Sequence, residues 1–439
     1  MRLPLILAAL TALAACAPGA QVSKNRPAPE VGVGFGDTAA YRPLAVPAGG
    51  QSLTRDFMAL TFAMESGRML DTFSRFEGPV TVRMTGNAPS TAAHDLGEVL
   101  GRLRGEAGID ISPTTGPASI TIEFVSRSDL RRLTPTAACF VVPNVSSLAE
   151  FRRLRGSDAV DWANVTQRQT AAIFIPGDTS PQEVRDCLNE ELAQALGPLN
   201  DLYRLTDSVF NDDNFHSVLT GFDMDILRMT YSPALHSGMS REDVAAHLGI
   251  STAAGGEANP ADWTRAIETS LGRNGSLATR KAAAERALAI AQASGWQDGR
   301  AAFSYFAVGR LLAGSEPERA FDAFDHAAAL YARQPEGELQ LAHIDMQLAA
   351  IALAGGLTEE AVRLTDRAIP VVRQHQNAAL LATLMLIKAE ALEALGNPQA
   401  AAALRLDSEP WARYGFGPDS LVKARIRDIA SVADRALKG

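Results

Sequence analysis

Three glycines in the second half of the chain, Gly314, Gly355 and Gly396, stand at equal intervals of 41 residues (355 − 314 and 396 − 355). Each lies in a junction between two apolar-periodic runs, "LLAGSEPERAFDAF", "ALAGGLTEEAVRLT" and "EALGNPQAAAAL", and a weaker copy stands near Gly272. A fixed period of this size means that each unit is one supersecondary element, which buries its apolar face only by stacking on the next. Alanines follow each turn, where paired helices must approach closely. Residues 259–439 are therefore expected to form an all-α solenoid of helical hairpins.

These junctions resemble tetratricopeptide repeats, although the period is longer than the usual value of about 34 and the Trp-Leu-Gly-Tyr pattern is incomplete. The resemblance implies a curved array that takes a protein partner. The competing expectation is that the array packs on its own neighbouring domain.

The first half reads differently. Apolar residues Leu53, Phe57, Leu60, Met64 and Leu70 predict a helix over 52–73. Then come the strands "GPVTVRM", "ASITIEFV", "CFVVPNV" and "AAIFIP", with a helix over 91–105 and short helical pieces around 147–154. A further helix starts after Asp178-Thr179-Ser180-Pro181, where Thr179 or Ser180 is placed to cap it and Pro181 suits its first turn. This order predicts an α+β domain over 52–250.

That last helix, "DCLNEELAQALGPLND", places Leu188, Leu192, Ala195, Leu196 and Leu199 on one side and Cys187, Glu190, Glu191 and Gln194 on the other. Its plain reading is an amphipathic helix whose polar side faces water. Its spacing is also that of the extended zinc-protease motif H-E-x-x-H-x-x-G-x-x-H, in which two His ligands one turn apart reach one metal and the Glu manages the water proton. Here those positions read Glu190, Glu191, Gln194, Gly197 and Asn200, so the ligand histidines are absent while the general-base position is kept. One carboxylate and two amides are a weak set for any cation, even with Asp201, Asp212, Asp213 and His216 on the following loop. We therefore expect no metal and no cofactor. Glu190, Gln194 and Asn200 are the candidate binding residues, and Glu191 is the catalytic candidate if any hydrolysis remains.

The stretches "ACFVVPNVSS", "AAIFIPGDTSPQEVRDCLNEELAQALGPLNDLYRLTDSVFNDD" and "LTGFDMDILRMTYSPALHSGM" resemble the bacterial domain of unknown function 2927 family. The resemblance covers residues 77–239 and implies a relative of the zinc-dependent peptidases with E-E-x-x-Q in place of H-E-x-x-H. It implies no established activity. By analogy of fold, such a domain holds a peptide or glycan strand along a sheet edge.

The amino-terminal segment "MRLPLILAALTALAACAPG" has one early positive charge, an apolar run too short for a span of about 20 residues, and small residues before Cys16. Leu13-Ala14-Ala15-Cys16 resembles a bacterial lipobox. Residues 1–15 are read as a lipoprotein signal, Cys16 as the lipidated residue and 16–51 as a flexible linker. The alternative is an ordinary signal peptide cut a few residues later. Ala17, rather than Asp, after the cysteine favours the outer membrane. Cys139 and Cys187 are expected to form a disulfide across 48 residues, the alternative being two separate buried thiols. The formal net charge of −9, with only short basic clusters at 130–133 and 151–156, leaves no footprint for nucleic acid.

The expected protein is thus a lipid-anchored envelope module, non-catalytic, with a peptide, glycan or protein ligand and a helical partner surface. The alternatives are an envelope hydrolase using Glu191 as base, and a scaffold acting through the repeats alone.

Overall fold

The computed structural model describes residues 50–135, 137–250, 259–272 and 275–436. The signal, Cys16 and nearly all of the linker lie outside them.

The first helix, α1 (Gly50–Thr61), is shorter than its apolar spacing predicts. Ser66-Gly67 turns the chain back on itself, with Gly67 at φ 78°, and the pairing continues as a bridge between Ala63 and Met69. The segment after Thr61 thus completes a tight reversal instead of two more helical turns.

Five strands follow, β1 (Val80–Gly86), β2 (Ile111–Pro113), β3 (Ile120–Val125), β4 (Phe140–Pro143) and β5 (Ala171–Pro176), in the spatial order β2-β1-β3-β5-β4. All pairs are parallel except β4 with β5, which is antiparallel, with Val141 opposite Ile173. The first half is therefore an α/β region around a small mixed sheet. Its strands alternate with α2 (Ala92–Glu106), α3 (Arg127–Leu133) and α4 (Leu148–Leu154). β2 is too short to leave a sequence signal.

Successive residues of β5 point to opposite faces. Ala171, Ile173 and Ile175 enter the main core with α1 and α2, whereas Ala172 and Phe174 enter a smaller cluster with Leu130, Leu133 and Phe151. Both faces are covered, which is why this strand is apolar throughout. The helix α5 (Pro181–Leu196) packs on the main-core face, and Cys187 on it is joined to Cys139 beside β4. α6 (Gly221–Thr230) and α7 (Arg241–Leu248) complete the region.

From Ala261 the chain is all helix: α8 (Ala261–Leu271), α9 (Leu277–Ala293), α10 (Gly299–Leu312), α11 (Pro317–Tyr331), α12 (Glu338–Ala354), α13 (Thr358–Gln374), α14 (Ala378–Ala394), α15 (Pro398–Phe416) and α16 (Asp419–Ala436). The first eight pair as four hairpins, and α16 folds back on α12 and α14. Gly314, Gly355 and Gly396 fall in the three expected turns. The core of this array contains two residues that do not belong to it, Tyr203 and Phe215, contributed by the loop that follows α5.

Candidate functional site

The helix α5 is pinned at both ends. Ser180 Oγ accepts from the Glu183 amide at 3.2 Å, Pro181 occupies the first turn, and Glu183 pairs with Arg127 at 2.8 Å. A helix leaves its last carbonyls without partners. Here the Arg168 guanidinium donates to the carbonyls of Gln194, Ala195 and Gly197 and, at 3.3 Å, to Ser74 Oγ. It is 4% exposed and lies over the Trp162 ring, 4.6 Å from its centroid. Burial lowers its pKa to about 10, which leaves it charged at neutral pH. At Gly197 a Cβ would come within 2.8 Å of the Thr230 methyl, so the glycine is required by the close passage of α6.

The polar side of α5 does not face water. Glu191 is 4% exposed, Gln194 5% and Asn200 1%. Gln194 donates to Asp201 Oδ2 at 3.3 Å and to Glu65 Oε1 at 3.4 Å. Asn200, expected beside Glu190 and Gln194, is instead placed to hold α1: its amide donates to the Ala59 carbonyl at 3.0 Å. The reason is that the chain turns at Gly197 and carries Asn200 under α1, where Leu199 N also bonds Leu60 O.

Glu190 is half-buried and lines a cavity of about 50 Å³ together with Asp186, Asn211, Asp212, Asp213 and His216. This volume holds a few waters and is far below the several hundred Å³ of a ligand pocket. Burial, followed by the charges of Asp212, Glu65 and Asp186, raises Glu190 to about 8. Burial also raises Asp186 to about 8 against the opposing pull of Arg185. Glu191 is held well above the ordinary carboxylate range by burial and then by Glu190 and Glu65, and its Oε2 has no hydrogen-bond partner. Asp201 and Asp213 are raised by burial in the same way.

A zinc site of the extended motif does not fit these residues. Two of its three ligand positions, Gln194 and Asn200, are engaged elsewhere, and neutral amides do not replace the imidazole nitrogens that zinc prefers. Among the described residues no group of three His, Cys, Asp or Glu side chains is placed to hold a metal ion.

The helical array roofs α5. Gln182 Nε2 donates to Asn377 Oδ1 at 3.1 Å and to Ser217 Oγ at 3.1 Å, and its Oε1 accepts from Ala379 N at 2.8 Å. Arg185 donates to the Gln376 carbonyl at 2.6 Å and lies over the Tyr414 ring, while Tyr414 donates to Asp95 at 2.8 Å. The Phe215 ring sits among Phe303, Phe306 and His343. Arg168, Gln182 and Asn377 escaped the sequence reading. A lone Arg before an apolar strand was the only signal for the first, and the other two gave none.

What the fold and site define is a mixed-sheet α/β domain whose central helix is sealed beneath a helical-hairpin array. Residues 50–249 match the family described as "Protein of unknown function (DUF2927)". No curated protein and no solved structure matches the chain.

Proposed function

We propose that this is a non-catalytic, lipid-anchored envelope protein in which a zincin-like domain serves as a structural module and the helical array presents the surface for a protein partner. The observation that carries the reading is the state of the motif positions. Gln194 and Asn200 are committed to internal hydrogen bonds, and Glu191 is buried beneath the array, out of reach of the substrate a general base would have to meet. The antiparallel edge strand β4, tied to α5 by the disulfide, supports the zincin-like relationship. That edge is poorly suited to an added peptide strand, because the Val141 carbonyl accepts from the Trp162 indole at 3.4 Å. A partner surface on the array is supported by Phe321 (43% exposed), Leu357 (59%) and Leu406 (66%), which stand on or beside the second helices of three successive hairpins.

The test combines turnover with capture. The full chain should cleave no cell-wall peptide, bind no stoichiometric zinc or calcium by elemental mass spectrometry, and lose its envelope partner in the variant Phe321→Lys/Leu406→Lys while Glu191→Gln keeps it. Peptide turnover that Glu191→Gln abolishes would overturn this reading in favour of the hydrolase.

A further inference from the structure

The small cavity beside Glu190 lies between α5 and the loop that follows it, and its wall has one chemical character. Each side-chain donor group on that wall is already engaged elsewhere. Ser208 Oγ donates to Asp223 Oδ1 at 2.6 Å, Asn211 Nδ2 to the Leu205 carbonyl at 2.6 Å, and Asn214 Nδ2 to the Asp212 carbonyl at 3.0 Å. His216 Nε2 lies 2.9 Å from the Thr206 carbonyl. A carbonyl only accepts, so the proton of the neutral imidazole sits on Nε2 and Nδ1 is left an acceptor.

The acceptors, by contrast, are unmet. Asn211 is 2% exposed and its Oδ1 has no partner, and Oδ1 of Asp186 is likewise buried without one. Glu190 stands one helical turn after Asp186, and Asp212 and Asp213 face them from the loop. No Arg or Lys lines the cavity. Arg185, whose charge does reach Asp186, is turned to the Gln376 carbonyl and the Tyr414 ring.

A buried acceptor without a donor is costly, and several carboxyls around one space add mutual repulsion. Both costs are met by one kind of guest, a positive group that carries only donors. We propose that this cavity is a subsite for a primary ammonium group, the charged end of a lysine-like side chain or of another aliphatic amine. At about 50 Å³ it admits that head group with part of its stem. Asp212 and Asn214 are exposed and mark the mouth, so the rest of the ligand stays outside. The upward shifts of Asp186 and Glu190 under burial and like charge are what a bound cation would relieve.

Other cations suit the wall less well. A metal needs ligands converging at about 2.0 to 2.6 Å, and among the described residues no three are so placed. A quaternary ammonium has no N–H and prefers aromatic faces, yet no Phe, Tyr or Trp lines the space. A guanidinium presents a planar fork matched to the two oxygens of one carboxylate, whereas these acceptors come from separate side chains of a helix and a loop. Three rotatable donors on a compact charge fit them better. The contact is independent of the partner surface on the array.

The experiment titrates the full chain with n-butylammonium chloride by calorimetry at neutral pH and constant ionic strength. Saturable binding is expected, absent with tetramethylammonium and weaker by at least about tenfold in Glu190→Gln and in Asp212→Asn. Asp212 is exposed, so its variant keeps the fold, which circular dichroism checks. Nα-acetyl-lysine amide and cadaverine then separate the two sources, the tighter binder showing whether a side chain or a free polyamine is taken. No saturable binding up to tens of millimolar, or binding that both variants leave unchanged, would overturn the proposal. So would potassium or guanidinium bound as tightly as butylammonium.

Discussion

Nε2 of Gln182 lies 3.1 Å from Oδ1 of Asn377, across 195 positions of sequence, and both groups are buried. Asn377 also caps α14 by accepting from the Leu380 amide at 3.0 Å, and its Nδ2 donates to the Phe215 carbonyl at 3.3 Å. One side chain thus ends a turn of the array, holds the first turn of α5 and anchors the loop.

Asn377→Ala should therefore cost more than a lost helix cap of about 1 kcal/mol, because Gln182 is left buried with an unmet donor. The expected loss is about 2 to 4 kcal/mol. Urea unfolding followed separately by the tryptophans of the two halves would check it, with the two transitions separating in the variant.

Replacing Arg168 should be severe. Arg168→Met leaves the carbonyls at the end of α5 without donors, with an expected cost of at least about 3 kcal/mol. Arg168→Lys should rescue little, since one ammonium does not reproduce a planar fork that reaches four acceptors. The midpoint of chemical denaturation reads both.

The disulfide closes a loop of 48 residues, for which chain entropy gives about 4 kcal/mol of stabilisation. Cys139→Ser/Cys187→Ser should lower the unfolding midpoint by a corresponding amount, and a reductant should have no further effect on that variant. Thermal unfolding with and without reductant is the measurement.

Glu191→Gln should stabilise the protein at alkaline pH. Its carboxyl is raised in the folded state, so its contribution is complete at acid pH and fades as pH climbs through that raised value. A glutamine mimics the neutral form at every pH. Urea midpoints from pH 6 to 9 should fall for wild type and fall less for the variant.

Much of this architecture was legible because it rests on periodicity. The 41-residue spacing marked the turns at Gly314, Gly355 and Gly396, and the apolar run at 171–176 marked a strand. Ser180 and Pro181 marked the start of α5. The burial of its polar side was not legible, because Glu190, Glu191 and Gln194 have the same helical spacing whether they meet water or a protein roof. The roof itself is set by pairs such as Gln182 with Asn377 and Tyr414 with Asp95, whose separations in sequence carry no local pattern. Asn200 was misplaced because the motif spacing fixes position along the chain but not the direction taken after Gly197.

The seating of Phe215 in the array imposes an order on events in time. Phe215 leaves the ribosome well before the helices that enclose it, and at about 5 to 20 residues per second the wait for His343, 128 positions later, is on the order of ten seconds. During that interval an aromatic segment made for a dry interior stands in solvent. A product truncated before α12 would lack His343 and the rest of that helix from the cover of Phe215.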